Sequence, residues 1–364
     1  MLNKLVKKVL SVVISTVCLT TVGCTDINTP GTDNTDAIVK SKGFNVHFID
    51  VGQGDSTLLE CNGEYMLIDA GEIDKGEDVV KYLEKYNVDK LEYAVITHPH
   101  TDHYGGMQQV LEDVTVENII MTEAYSTTYK WEKLIDYIDE NNYNVIFPKS
   151  NDTFTIGDCT LTTFVPYDYG DNLNNASIIF NAEYKGMSAL FTGDAEKPAE
   201  EQVIASGFNV SANLLSVGHH GSSTSTGKKL FNSAKPQLAV ISCGKNNDYG
   251  HPHKEITSLF KKNNVPYLRT DEQGSIVVNM ADDKISVSTD KGYTTVINGK
   301  RVDNSSSSIQ EENYVGNKKS KVVHSKGCSS LNKMKEENKI YFNSLDTALE
   351  KGYRLCEDCG EQED

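Results

Sequence analysis

Positive charge is scarce in this chain: 35 Lys and Arg stand against 52 Asp and Glu, for a formal net charge of -17. Such a chain has no general attraction for phosphate backbones or anionic membranes, so a polyanionic substrate must be held locally, by metal ions and a few cations. The eight cysteines lack the dense, regular spacing of a disulfide scaffold, and only Cys328, Cys356 and Cys359 look like a set. The apolar run from Val9 to Val22 has the length of a secretory signal and is short for a membrane span. What is present is a hydrophobic fraction of 38% over 364 residues, which suits one domain of a little over 200 residues with appendages and excludes a disordered chain.

The organising stretch is Tyr93-Ala94-Val95-Ile96-Thr97-His98-Pro99-His100-Thr101-Asp102-His103-Tyr104-Gly105-Gly106. A short apolar run predicts a buried strand, and its end delivers three imidazoles and a carboxylate, followed by a Gly pair that permits a tight turn. Neutral imidazoles with carboxylates suit Zn²⁺, Mn²⁺ or Fe, ions that activate water near neutral pH. The alternative is a His-rich surface turn. Two further apolar strands end in the same style, at Phe191-Thr192-Gly193-Asp194 and at Leu214-Leu215-Ser216-Val217-Gly218-His219-His220-Gly221. Strand ends converge on one edge of a layered sheet, so ligands distant in sequence can meet there.

Elsewhere between Gly43 and Tyr293 the pattern predicts strands at Phe44–Val51, Thr57–Glu60, Tyr65–Asp69, Glu117–Met121, Ser177–Tyr184 and Gln237–Ser242. Amphipathic helices are expected near 76–86, 127–141, 197–206 and 255–262. Two sheets with helices outside is the architecture these elements imply.

Taken together, the segments Asp50-Val51-Gly52-Gln53-Gly54-Asp55-Ser56, Thr97 to His103, Asn174-Asn175-Ala176-Ser177, Phe191 to Asp194, Gly218 to Ser222 and Tyr249-Gly250-His251-Pro252 resemble the metallo-β-lactamase superfamily. Within it the match is to the hydrolase domain of ComEC-type competence proteins, over roughly residues 44 to 288. The resemblance implies an α/β fold, the αββα sandwich, and a two-metal hydrolase centre. It implies that His98 and His100 hold one ion, Asp102 and His103 the other, and that Asp194 bridges them. His219 is the further ligand, set with the second ion, and His220 is a ligand or a phosphate contact. Asp69 would orient a ligand histidine. His251 would contact a phosphate oxygen or protonate a leaving alkoxide, the alternative being a loop-packing role; with Asp102 and His220 it completes the catalytic set. One departure stands out: no histidine occurs between His103 and Asp194. The first ion therefore lacks an imidazole, Asn174 or Asn175 is the substitute expected there, and weak first-site occupancy with activation by Mn²⁺ is the consequence.

The flanks read differently. Residues 1–24 are similar to a bacterial lipoprotein signal, with Lys4, Lys7 and Lys8 before the apolar run and Cys24 at the lipidation position, although Thr21 departs from the usual aliphatic residue. Residues 25–42 read as a flexible tether, 43–293 as the hydrolase domain, 294–313 as a polar linker and 314–364 as a separate module. In the last, His324, Cys328, Cys356 and Cys359 have the spacing of a structural zinc knuckle. The segment from Tyr314 to Cys359 is similar to the zinc-binding domain of the Ada DNA-repair protein, which uses four cysteines where this chain begins with His324. A redox or disulfide-bonded Cys356/Cys359 pair is the alternative. Lys318, Lys319, Lys321 and Lys326 make the module locally basic, as a nucleic-acid contact or as a solvated cluster.

The expected function is an exported metal-dependent hydrolase, lipid-anchored at Cys24 to the cytoplasmic membrane and facing outward, or secreted. It would act as a phosphodiesterase on extracellular DNA, using Zn²⁺ or Mn²⁺ at the hydrolase centre and a structural Zn²⁺ in the module. The alternatives are hydrolysis of another ester or amide, such as a phosphorylcholine ester or a β-lactam, and a catalytically weak scaffold that acts as a binding module.

Overall fold

The computed structural model describes residues 43–299, 314–325, 328–342, 345–356 and 359. The signal-like segment with Cys24, the tether and most of the linker lie outside the described residues, as does Lys326.

Two sheets face each other. The first has nine strands, in the order Thr294–Asn298, Lys284–Thr289, Ile276–Ala281, Phe44–Phe48, Thr57–Cys61, Glu64–Ile68, Lys90–Ile96, Thr115–Met121 and Val145–Ile146. The second has seven, in the order Tyr267–Arg269, Leu238–Ile241, Leu214–Ser216, Met187–Phe191, Ile179–Tyr184, Cys159–Phe164 and Thr153–Ile156. Alternation along each strand sends one set of side chains between the sheets and the other outward. Phe44, Val46, Phe48, Met66 and Val95 thus meet Phe180, Ala189, Phe191 and Val240 in the central core.

The outward faces are apolar as well, so each must be covered. Val79 and Leu83 of helix Gly76–Lys85 and Trp131, Leu134 and Ile138 of helix Tyr129–Glu140 cover Leu67, Ala94 and Ile96 of the first sheet. Val203 of helix Lys197–Ala205, Leu230 of helix Lys228–Ala234 and Phe260 of helix Lys254–Lys262 cover Leu190, Leu215 and Ala239 of the second. The fold is the four-layered αββα sandwich.

Strand direction places the site. Glu64–Ile68, Lys90–Ile96 and Thr115–Met121 run parallel to one another, as do Met187–Phe191, Leu214–Ser216 and Leu238–Ile241. Their C-terminal ends deliver Asp69, His98, Asp194 and the His219–His220 pair. Such ends are the usual place for a site in a parallel sheet.

The expected domain boundary requires a correction. Thr294–Asn298 pairs antiparallel with Lys284–Thr289 and extends the first sheet into the stretch read as linker. Its alternate residues Thr294, Val296 and Asn298 are exposed, as on an edge strand with one face to solvent, so no apolar burial marks its pairing.

The C-terminal segment forms its own four-stranded sheet, in the order Lys339–Phe342, Tyr314–Asn317, Val322–Ser325 and Arg354–Leu355. Its core is small: Val323, Phe342, Ala348 and Tyr353 are buried, with four partly buried neighbours. A module of this size rarely holds together on apolar burial alone.

Candidate metal centre

The site is assembled from backbone outward. Gly54 has φ +153, and a Cβ there would lie 2.5 Å from the Asp102 carbonyl oxygen, so only glycine lets the Gly52–Ser56 turn close on the Thr101–Tyr104 helical turn. The Asp55 N–H donates to that same carbonyl at 3.1 Å. Gly221 has φ +81, with Pro252 Cβ 2.5 Å from where its own Cβ would be. Between these constraints His219 (φ 52, ψ 48) and His220 (φ 53, ψ 25) both take the left-handed conformation. Two consecutive non-glycine residues there cost about 1–3 kcal/mol each, strain of a kind that clusters at functional sites.

That conformation sends neighbouring imidazoles to opposite sides of one carboxylate. His220 Nε2 lies 3.7 Å from Asp194 Oδ1 and 3.2 Å from Asp102 Oδ2, and His103 Nε2 lies 3.2 Å from Asp194 Oδ1. His219 Nε2 faces the other oxygen, Asp194 Oδ2, at 3.5 Å, where His98 Nε2 also stands at 3.8 Å. His100 Nδ1 lies 3.1 Å from His98 Nε2. Asp102, His103, Asp194 and His220 offer ligand atoms all within 4.8 Å of one another.

Each of these imidazoles except His100 has its far nitrogen near a second partner, and where that partner can only accept, as for His103 and His220, it sets the tautomer. His103 Nδ1 donates to Asp69 Oδ2 at 2.8 Å, and Asp69 also accepts from the Thr97 N–H and hydroxyl at 2.9 and 2.7 Å. His220 Nδ1 donates to the Ser242 carbonyl at 3.2 Å and lies 3.5 Å from Asp55 Oδ1. His98 Nδ1 lies 3.2 Å from Ser177 Oγ, and His219 Nδ1 lies 3.2 Å from Thr224 Oγ1. With Nδ1 committed, the Nε2 atoms of His103 and His220 face the cleft.

Electrostatics bind the group together. Burial alone would raise Asp102 and Asp194, but His103 and His220 outweigh it and hold both carboxyls well below the usual carboxylate range. Burial alone would lower His103 and His220, but Asp194, with Asp69 beside the first and Asp55 beside the second, pushes both well above their ordinary value. His98 is driven well below its ordinary value by burial and by His103.

These residues fit a metal centre. His103 Nε2, His220 Nε2 and Asp194 Oδ1 are buried polar atoms without a hydrogen-bond partner, and all three point at one spot. An unsatisfied buried polar atom is costly, and a divalent cation at that spot satisfies three at once. Imidazoles with carboxylates are the donor set for a transition metal.

The expectation of a missing first-site ligand requires correction. His219, placed by sequence with the second ion, faces the Asp194 oxygen shared with His98, while His220 stands with Asp102 and His103. Asn175 is no substitute: its Oδ1 accepts from the Glu196 N–H at 3.1 Å. Asn174 differs: its Nδ2 donates to Glu196 Oε1 at 3.2 Å, while its Oδ1 is buried without a hydrogen-bond partner and the residue lines the cleft, so its amide oxygen remains available there. The geometry thus brings a third imidazole, that of His219, to the side of Asp194 where the sequence offered only His98 and His100.

The cleft over these residues has a volume of about 260 Å³, and Gln53, Glu72, Asn174, Tyr249 and His251 also line it. Burial, His220, His219 and His253 lower His251 to about 4, so a neutral imidazole faces the cleft at neutral pH. That favours a hydrogen-bonding or proton-accepting role over delivery of a proton from an imidazolium. Glu72, Asp55, Ser177 and Tyr249 had no role assigned from sequence; the last three lie inside the recognised motifs, but nothing in their spacing says which histidine they support.

In the C-terminal module His324, Cys328, Cys356 and Cys359 bring their ligand atoms within 4.8 Å of one another. His324 Nδ1 lies 3.4 Å from Cys328 Sγ, and no disulfide joins Cys328, Cys356 and Cys359. Burial would raise Cys359, but hydrogen bonds from Ser325 and the neighbouring cysteines draw it below its ordinary value. Three thiols and an imidazole on a core this small fit a structural zinc.

The class of the protein emerges from fold and site together. The metallo-beta-lactamase superfamily pattern matches residues 49–245, and the chain belongs to that superfamily. More narrowly, it is 31% identical over 250 residues to ComE operon protein 3 of Bacillus subtilis, covering 64% of this chain and 32% of that protein. It is 27% identical over 261 residues to recombination protein 2 of Haemophilus influenzae, covering 67% of this chain and 30% of that protein. The chain thus spans about a third of the length of these curated relatives. The metallo-beta-lactamase fold protein YhfI of Bacillus subtilis, a solved structure, aligns over 70% of this chain and 100% of its own, at 12% identity and a TM-score of 0.45. The chain is a metallo-β-lactamase-fold, metal-dependent hydrolase related to competence proteins.

Proposed function

We propose that the chain is a phosphodiesterase that cuts DNA outside the cell, tethered to the membrane through Cys24 or secreted. The observation that carries the catalytic part is the placement of the two Asp194 oxygens between two sets of imidazoles. His98, His100 and His219 with Asp194 Oδ2 are the residues to hold one ion. Asp102, His103 and His220 with Asp194 Oδ1 are those to hold the other. Bound there, the ions supply an activated water near neutral pH and polarise the scissile ester.

The chain's own residues do the rest. Asp69 and Ser242 keep the two second-site imidazoles turned inward, and neutral His251 faces the substrate with its N–H or its lone pair. The DNA assignment is supported by relatives named for competence and recombination, processes that handle DNA. Export is supported by the signal-like residues 1–24. Among the described residues no helix is long and apolar enough to cross a membrane.

The test is a substrate panel with Zn²⁺ or Mn²⁺: single- and double-stranded DNA, RNA, bis-p-nitrophenyl phosphate and nitrocefin. Turnover of DNA is expected. Turnover of nitrocefin alone overturns the assignment.

A further inference from the structure

The cleft that opens over the metal-centre residues lacks the feature expected of a DNA-handling site: none of the described residues lining it is Lys or Arg. Beyond the ions at the scissile phosphate, a polymer must then be gripped by something other than ionic contacts to its backbone. Apart from the imidazoles, the lining includes one aromatic ring, that of Tyr249, and it is 67% exposed.

An exposed tyrosine is ordinary by itself. This one is mounted on a tied loop. Asn247 Nδ2 donates to the carbonyls of Gly244 and His251 at 2.8 and 2.7 Å, and its Oδ1 accepts from the His251 N–H at 2.9 Å. The Ser223 N–H donates to His253 Nδ1 at 2.9 Å, which leaves the ring hydrogen on Nε2 to donate to the Tyr249 carbonyl at 3.2 Å. The Tyr249 ring lies over His251 with centroids 5.5 Å apart and planes within 21°. One face is thus backed by His251, among the residues that line a cleft of about 260 Å³.

We propose that Tyr249 is a stacking platform for an unpaired nucleobase next to the scissile phosphate, which makes single-stranded nucleic acid the substrate class. This rests on the phosphodiesterase reading above. Stacking on a side chain needs a base whose face is free, and every base has such a face, so the grip tolerates any sequence. It also suits a chain of net charge -17, because stacking does not depend on phosphate attraction. Tyr249 sets substrate position rather than chemistry.

The experiment compares wild type with Tyr249→Ala, Tyr249→Phe and Tyr249→Trp in the full metal-loaded chain. It measures steady-state hydrolysis and anisotropy binding of a labelled single-stranded oligonucleotide, intact or abasic around the cleavage position. Tyr249→Ala is expected to raise KM and Kd by about 5- to 150-fold on the intact strand, the loss of one stacked base, with kcat within about twofold. The Phe and Trp variants restore both, and removal of the bases costs wild type the same factor while adding nothing to the loss in the Ala variant. If wild type cleaves the strand and Tyr249→Ala matches it, or if the Ala penalty persists on the abasic strand, stacking is overturned and the phosphodiesterase reading stands. If wild type neither binds nor cleaves any nucleic acid, both fall.

Discussion

His219 and His220, adjacent in sequence, face opposite oxygens of one carboxylate: His219 Nε2 lies 3.5 Å from Asp194 Oδ2 and His220 Nε2 lies 3.7 Å from Asp194 Oδ1. A single dipeptide thereby serves both halves of the centre. Two successive left-handed residues between Gly218 and Gly221 make that possible.

Removing these side chains one at a time is expected to separate the ions. His219→Ala loses the ion beside His98 and His100, His220→Ala loses the ion beside Asp102 and His103, and Asp194→Ala loses both. Metal content after dialysis, measured by mass spectrometry, checks this. Loss of the same ion from both histidine variants contradicts the division.

Asp69 touches no substrate, yet it holds His103 through a 2.8 Å hydrogen bond. Asp69→Asn keeps the shape and tolerates the left-handed backbone at φ 59, but it gives up the charge behind the imidazole. Affinity for the second ion is expected to fall about 10- to 100-fold, with the first changed less. Calorimetric titration of the apo-protein with Zn²⁺, compared with wild type so that the unchanged Cys/His site cancels, reads the two hydrolase sites.

Outside the cleft lining, Glu200 is 2% exposed, its Oε2 accepts from the Gly227 N–H at 2.9 Å, and burial raises its carboxyl to about 7. A folded-state value above the unfolded one means that the native state binds the proton more tightly. The stabilisation is complete below about pH 4.5 and is lost as pH rises through about 7, on the order of 3 kcal/mol in all. Glu200→Gln removes this dependence, so the variant gains on wild type in denaturant midpoint between pH 5 and 8. A difference that stays constant with pH contradicts the assignment.

In the C-terminal module, Cys356→Ser or chelation is expected to unfold the segment from Tyr314 to Cys359, because its core is too small to stand without the zinc site. Limited proteolysis would show new cleavage there, while hydrolysis of bis-p-nitrophenyl phosphate by Cys356→Ser, which needs only the hydrolase cleft, stays unchanged. Protease resistance of the chelated module counts against a structural metal.

Much of this was readable from the chain because the chemistry sits at strand ends. The apolar run before His98, the one before Asp194 and the one before His219 each announce a strand with a ligand-bearing turn after it, and the two-sheet sandwich comes from the same periodicity. The division of labour between His219 and His220 was not readable: side-chain direction there depends on two positive φ values, which the letters His-His do not encode. The same holds for Asn175, whose amide is used by the Glu196 N–H. The strand Thr294–Asn298 escaped for another reason: its Thr-Thr-Val-Ile run favours a strand, but it is short, no residue in it is fully buried, and it abuts a polar stretch.

The most direct test of the two-ion hydrolase account is to strip the full chain with chelator, return Zn²⁺ or Mn²⁺ stepwise, and measure single-stranded DNA hydrolysis against bound metal. The account predicts no hydrolysis in the stripped protein, full recovery once two ions are bound beyond the one held by His324, Cys328, Cys356 and Cys359, and none in Asp194→Ala. Full hydrolysis without a bound transition metal, or in Asp194→Ala, contradicts it.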